Sequence, residues 1–220
     1  MIAEDRVFID RTDAGLELGK LLEEKYKDTN ALVLGIPRGG VIVAHEVARV
    51  LNAELSVIIT KKLPHPRQHE LAIGAVAEDG SSFLTSLAHE LDRDSIHQIH
   101  HAQLEEIKSR IQRFRKGQPL PDMNRRTVIL VDDGIATGST IVPAIKLCKN
   151  QKAARVVVAA PVSGRRYLKE IDIMADEVVV AEQPEMFYAV GQVYEDFHNL
   201  ADQEVIRHLD EYTTTFKRRL

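Results

Sequence analysis

Residues 128–140 constrain this chain more than any other stretch. They read Val-Ile-Leu-Val-Asp-Asp-Gly-Ile-Ala-Thr-Gly-Ser-Thr. The apolar, β-branched run from Val128 to Val131 has the character of a strand buried on both faces, as parallel sheets require. It stops at two adjacent carboxylates, Asp132 and Asp133. A turn holding Gly134, Thr137 and Gly138 then leads through Ser139 and Thr140 to a helical pattern from Ile141. Orphan N–H groups and the helix dipole favour an anion, above all a phosphate, at such a strand-to-helix turn. The neighbouring carboxylates accept hydrogen bonds from a diol and supply oxygen ligands suited to Mg2+. Capping and turn formation alone explain one or two such residues. They do not explain two acids, two glycines and three hydroxyls within nine positions. The segment has the groups to hold a ribose 5-phosphate at both ends.

The flanking pattern places this turn in an α/β fold. A first helix is predicted from Asp13 to about Lys27, then a strand over Ala31–Ile36, a helix over Val41–Leu51 and a strand over Glu54–Thr60. Lys61 to Thr85, with its Pro, His and Gly residues, reads as a hairpin or an extended mobile loop. Leu87 to Lys116 is a long, highly charged helical segment. Alternation resumes with a strand over Thr127–Val131, a helix over 139–150, a strand over 155–160, a helix over 164–171 and a strand over 177–181. An irregular stretch over Val190–Phe197 precedes a last helix from about Asp202. Such alternation predicts a parallel sheet flanked by helices on both faces, with ligands beyond the carboxyl ends of the strands. The expected organisation is a single domain over 1–220. Its core spans about 30–182, a flexible loop and inserted helix about 63–118, and a small hood about 183–200 before the C-terminal helix.

Composition narrows the partners. A hydrophobic content of 44% supplies a core, and a net charge of −4 gives no electrostatic case for nucleic-acid binding. The single cysteine, Cys148, excludes an internal disulfide and fits a reducing cytoplasm; on its helix it reads as core filler. The start of the chain carries Glu4 and Asp5 and no apolar leader-like run, and no apolar stretch approaches membrane-spanning length. A cytoplasmic protein without membrane or nucleic-acid partners is therefore expected. His97, His100 and His101 sit at helical spacing, but a solvated helix face accounts for them as well as a metal does. The basic cluster Lys108, Arg110, Arg113, Arg115 and Lys116 lies near Glu105 and Glu106, which favours an exposed, ion-paired helix. That helix is a candidate homodimer surface.

A second anion nest is predicted at Gly35-Ile-Pro-Arg-Gly-Gly40, which follows a strand and precedes a helix. Gly39 and Gly40 permit close approach, and Arg38 offers a charged fork for phosphate oxygens. A tight turn with a surface arginine is the plain alternative. Lys61 and Lys62 bring positive charge to the end of the next strand. The chain has neither a Walker loop nor a G-x-G-x-x-G turn.

Residues 128–140 resemble the phosphoribosyl-diphosphate signature of type I phosphoribosyltransferases, namely a hydrophobic strand, two acids and a T-G-x-T type loop. The resemblance extends to Gly35–Gly40 as the diphosphate loop, to Lys61–Lys62 and to the flexible loop after them, and so covers most of the chain. It implies that Asp132 and Asp133 hold the ribose hydroxyls, directly or through Mg2+. It implies that the backbone of Gly134, Ile135, Ala136, Thr137, Gly138 and Ser139, with the hydroxyls of Thr137, Ser139 and Thr140, binds the 5-phosphate. Pro37, Arg38, Gly39 and Gly40, with Lys61 or Lys62, would receive diphosphate, Arg38 and Lys61 stabilising its charge as it leaves. A lid over residues 63–80 would exclude water. The enzymes acting on 6-oxopurines usually carry an Asp where this chain has Ala136, whereas the adenine-type enzymes draw a glutamate from the flexible loop. Glu70 and Glu78 are the acid–base candidates on that analogy. The stretch Met186–Phe197 resembles the family's acceptor hood. Phe187 or Tyr188 would stack on a planar base, and Asp196 or Glu195 would accept from the base or assist the metal. Core packing is the alternative for these aromatics.

The implied function is a Mg2+-dependent transferase of nucleotide metabolism. It would move the 5-phosphoribosyl group from phosphoribosyl diphosphate to a small nitrogenous, nucleobase-like acceptor. The alternative on the same fold is a non-catalytic regulator that binds the donor or a nucleotide. A sugar-phosphate hydrolase or kinase would need a nucleotide loop or an activated nucleophile, and neither is found.

Overall fold

The computed structural model describes residues 7–217. Its centre is a parallel sheet of five strands: β1 (Leu32–Gly35), β2 (Glu54–Val57), β6 (Thr127–Val131), β7 (Arg155–Val162) and β8 (Glu177–Glu182). The order across the sheet is β2-β1-β6-β7-β8. Residue alternation explains why these strands are apolar throughout. Leu32, Leu34, Val128, Leu130, Val156 and Val158 enter one core cluster with α4 (Ile141–Asn150). Val33, Ile129, Val131, Val157 and Ala159 enter the opposite one, with α1 (Arg11–Tyr26) and α2 (Gly39–Leu51). Both faces are covered, so each strand side chain gains burial worth roughly 1.5–3 kcal/mol for a Val or Leu. The predicted fold class is the one observed.

Of the two readings for Lys61 to Thr85, hairpin or mobile loop, the hairpin is the one observed: β3 (Thr60–His65), β4 (Gln68–Ala77) and β5 (Ser82–Leu84) form an antiparallel sheet. Ile59, Leu63, Ile73 and Val76 pack there against Ile107 and Phe114 of α3 (Arg93–Arg115). Asp92 caps α3 by accepting from the Ser95 N–H at 2.8 Å. The predicted strand through Thr60 ends earlier, because the chain turns out of the main sheet after Val57 to start β3. The predicted helix over 164–171 is α5 (Lys169–Met174). The residues before it are held to the acidic loop, Gly164 N–H donating to Ile135 and Leu168 N–H to Thr137. The first helix starts at Arg11, two residues before the predicted Asp13, with Asp10 as its cap. Among the described residues no helix is long and apolar enough to cross a membrane.

The final helix, α6 (Asp202–Lys217), packs on α2 through paired imidazoles. The Nδ1 atoms of His45 and His208 lie 2.8 Å apart, so one ring donates and the other accepts, which requires an unprotonated partner. Burial pushes both imidazoles below their ordinary value. A histidine with a depressed folded pKa gives stability that is complete above its unfolded value of about 6.5 and is lost as pH falls through that region. Glu46 and Glu211 oppose this shift and Arg49 and Arg207 reinforce it. His198, raised by Glu204 and Asp196, has the opposite sign and loses its contribution as pH rises. The imidazole pair therefore removes stability as pH falls from 7 to 5, against the opposite contributions of His198 and of the buried Asp132. His208→Phe should lose less stability than the parent over that window in pH-stepped denaturant melts.

Candidate active site

The acidic loop and the arginine-glycine bend meet at one place because β1 and β6 are neighbours. Ile36 N–H donates to the Val131 carbonyl at 2.8 Å, which sets Pro37–Gly40 beside Asp132. Contact is close enough to need glycine. A Cβ on Gly39 would collide with Asp133 Oδ2, and one on Gly40 would lie 2.6 Å from the Val131 carbonyl oxygen and 2.8 Å from Asp132 Cα. Because Gly40 faces backbone, Gly40→Ala cannot be relieved by a rotamer change. Overpacking of this kind costs about 1–3 kcal/mol, so calorimetry should show a melting temperature lowered by several degrees.

Between the two loops lies a cleft of about 290 Å3, walled by Arg11, Pro37, Arg38, Gly39, Thr60, Asp132, Asp133 and Thr140, with Phe197, Asn199 and Leu200. Burial, and next to it the Asp133 charge, hold the Asp132 carboxyl well above the usual carboxylate range. Asp133 is paired with Arg11, whose Nε donates to its Oδ2 at 2.8 Å. The same guanidinium donates to the His198 carbonyl at 3.1 Å and covers the Phe197 ring at 3.9 Å from its centre. Tyr194 donates its hydroxyl to the Asp133 carbonyl at 2.7 Å. Burial, then the Asp133 charge, push that phenol far up, so it stays a donor. Arg11 and Tyr194 tie the acidic loop to the segment before α6. Sequence reading misses both, because Arg11 lies 122 residues from its partner in an ordinary first turn.

The loop after the acids is pinned at Ile135 and through the Thr137 carbonyl, and its next amides are open. Ile135 N–H donates to Val162 at 2.8 Å, and the Ile135 side chain is buried in the core. Among the described residues the N–H groups of Ala136, Thr137 and Gly138 meet no acceptor. Gly138 has φ +76°, which turns the chain into α4. Ser139 is buried, with its N–H 3.4 Å from Thr137 Oγ1, and Thr140 precedes α4 without capping it, so that hydroxyl is available to the cleft. These groups form an open nest at a helix N-terminus.

Several predicted residues lie elsewhere. Lys61 is a correction: strand alternation turns it away from the cleft to α3, where it meets Glu106 at 3.1 Å. Lys62 shares a face with Thr60 and is exposed. The Thr60 hydroxyl is buried in the cleft wall and has no hydrogen-bond partner among the described residues. Glu78 is not at the cleft either; it accepts from Ile59 N–H at 3.0 Å and forms a buried ion pair with Arg115. Glu70 is exposed on β4, outside the cleft lining. In the hood, Phe187 packs on Gly164, Tyr188 is 82% exposed and Asp196 pairs with His198 at 3.0 Å. None of the three lines the cleft, and the aromatic that does is Phe197.

No cluster of three or more metal-type ligands occurs among the described residues. The donor set suits Mg2+ nevertheless, because that ion takes one or two carboxylates and completes its shell with water and substrate phosphate. A cation would also relieve the repulsion that raises Asp132.

Residues 13–198 match the phosphoribosyl transferase domain family. The chain belongs to that family. A Mycobacterium tuberculosis (strain ATCC 25618 / H37Rv) protein named "Putative phosphoribosyl transferase Rv0571c" is 39% identical over 208 residues. The match covers 93% of this chain and 47% of that protein, so the chain spans about half the length of the curated relative. The crystal structure of TT1426 from Thermus thermophilus superposes with a TM-score of 0.80 at 36% identity, covering 94% of this chain and 99% of the other. A purine phosphoribosyltransferase from Pyrococcus horikoshii shares the fold at a TM-score of 0.50 and 18% identity, over 90% and 99% of the two chains. In this phosphoribosyl transferase domain the acidic loop and the Pro37–Gly40 bend both fall inside the matched region.

Proposed function

We propose that the chain is a phosphoribosyltransferase that moves the 5-phosphoribosyl group from phosphoribosyl diphosphate to a nitrogenous, nucleobase-like acceptor and releases diphosphate. One observation carries this reading: the paired acids, the Arg38-Gly39 bend and Thr140 line a single cleft, and the open 136–138 amides belong to the loop that joins those acids to Thr140. The 5-phosphate would sit on the N–H groups of residues 136–138 with the Thr140 hydroxyl. Asp132 and Asp133 would accept from the ribose 2′- and 3′-hydroxyls. Arg38 and the Gly39 backbone would take the diphosphate, with Lys62 rather than Lys61 as the second cation. C1 gains oxocarbenium character as its bond to diphosphate breaks and the acceptor nitrogen attacks. Stabilisation of departing charge of this kind is worth several kcal/mol. Asp132 and Asp133 would hold Mg2+, which when bound neutralises charge on the diphosphate. Phe197 and Leu200 form the apolar side of the cleft, where a planar acceptor excludes water from C1.

The test is diphosphate release from the donor with Mg2+ across purines, pyrimidines and small amines. Acceptor-dependent release is the expected result. Donor binding without release on any acceptor would establish the regulator instead, and calorimetry showing no donor uptake would sink both readings.

A further inference from the structure

β2 is an edge strand of the five-stranded sheet. Ile58 N–H donates to Gly35 at 3.1 Å, and in a parallel pair alternate residues turn their main chain to the neighbour. Glu54 and Ser56 therefore face β1, while Ala53, Leu55 and Val57 face outward. The Ala53 carbonyl accepts from the Tyr212 hydroxyl and the Val57 carbonyl from the Arg115 guanidinium, at 3.0 Å for the latter. Between these two capped positions the N–H and C=O of Leu55 meet no partner among the described residues. They open onto a cavity of about 840 Å3 walled by Phe114, Tyr212 and Phe216. The last two rings stack at 5.6 Å with 20° between their planes.

The dimensions select the occupant. The capped carbonyls are four residues apart, about 13 Å along a strand. An added peptide strand would run beyond Leu55 only by displacing Tyr212 or Arg115, and Arg115 is held by its buried pair with Glu78. One residue's worth of edge is left, in a volume typical of small-molecule pockets. A flat ring with a donor atom beside an acceptor atom satisfies both Leu55 groups at once and lays its faces against aromatic walls. The two cations of the lining are already paired, Arg115 with Glu78 and Lys116 with Asp210, as is Glu54 with Arg126, while Asp28 adds negative charge. That balance rejects a phosphorylated ligand.

We infer that this cavity is a ligand site, separate from the cleft, for an uncharged planar nitrogen heterocycle of the nucleobase or nucleoside class. The inference is independent of the proposed transfer reaction. It is tested by 15N NMR of the full chain titrated with 9-methyladenine, whose blocked N9 cannot accept a phosphoribosyl group. The Leu55 and Val57 amide signals should shift. N6,N6,9-trimethyladenine, which keeps the ring but has no N–H, should bind at least about tenfold more weakly, as sites built around hydrogen bonds discriminate. Leu55→Pro removes the outward N–H at an edge position where proline is tolerated, and should cost at least about tenfold in affinity with the cleft amides Gly39 and Thr60 unmoved. Should that variant not fold, Phe216→Ala, which removes one wall, must weaken binding by a similar factor. Shifts confined to Gly39 and Thr60, equal binding of the two purines, or no shift at millimolar ligand would overturn the inference.

Discussion

Asp132→Asn is expected to raise the unfolding midpoint of the free protein at neutral pH while lowering turnover by about 10²–10³-fold, the loss typical of one preorganised polar group. The Asp132 carboxyl is raised by burial and by Asp133, so its ionised form is disfavoured in the folded state relative to the unfolded one. An acid with a raised folded pKa destabilises the fold as pH climbs above its unfolded value of about 3.9. An amide of the same shape removes that cost and also removes the acceptor that a ribose hydroxyl or a cation needs. Asp133→Asn should behave differently. Its carboxylate neutralises Arg11, which is 8% exposed, and loss of one partner from a mostly buried pair costs about 3–5 kcal/mol. Both variants should lose turnover, but only Asp133→Asn should lose stability as well. Denaturant melts beside steady-state kinetics separate the cases. A stability loss in Asp132→Asn, or undiminished turnover in either variant, contradicts the assigned geometry.

The sequence makes the acidic-loop side of this cleft legible, because its signals are local. An apolar strand, two acids and a glycine-hydroxyl turn occupy thirteen consecutive positions, and strand-end placement follows from the parallel topology. The Pro37–Gly40 bend is legible for the same reason, and the sheet order brings it to Asp132. What the sequence hides is long-range pairing. Nothing near Arg11 announces its contact with Asp133, and nothing near Glu78 announces Arg115. Alternation on β3 separates Lys61 from Lys62, a distinction invisible while 61–85 reads as either a hairpin of unfixed register or a loop. The hood aromatics mislead through proximity: Phe187 and Tyr188 match the family's pattern, yet Phe197 is drawn into the cleft by Arg11 and stacks on Tyr194 at 5.0 Å.

Glu78 provides the sharpest contrast between a loop acid and a structural one. Glu78→Gln is expected to destabilise the fold by about 3–5 kcal/mol and to leave turnover per folded molecule unchanged. Its carboxylate and the Arg115 guanidinium are 8% and 6% exposed, so Arg115 would keep a buried charge with no counter-ion. The glutamine carbonyl can still accept from Ile59 N–H, which confines the loss to the ion pair. Arg115 also donates to Val57 and Gln118, so the pair joins α3 to the corner where β2 becomes β3. The double variant Glu78→Gln with Arg115→Met should recover part of the lost stability, because it removes the unpaired charge while the glutamine still accepts from Ile59 N–H. Glu70→Gln, on the exposed face of β4, should stay within about 0.5 kcal/mol of the parent. Urea melts of the four proteins, read beside diphosphate release, decide the matter. If Glu78→Gln abolishes turnover at parental stability, Glu78 is the acid–base group after all and the Arg115 pair is incidental.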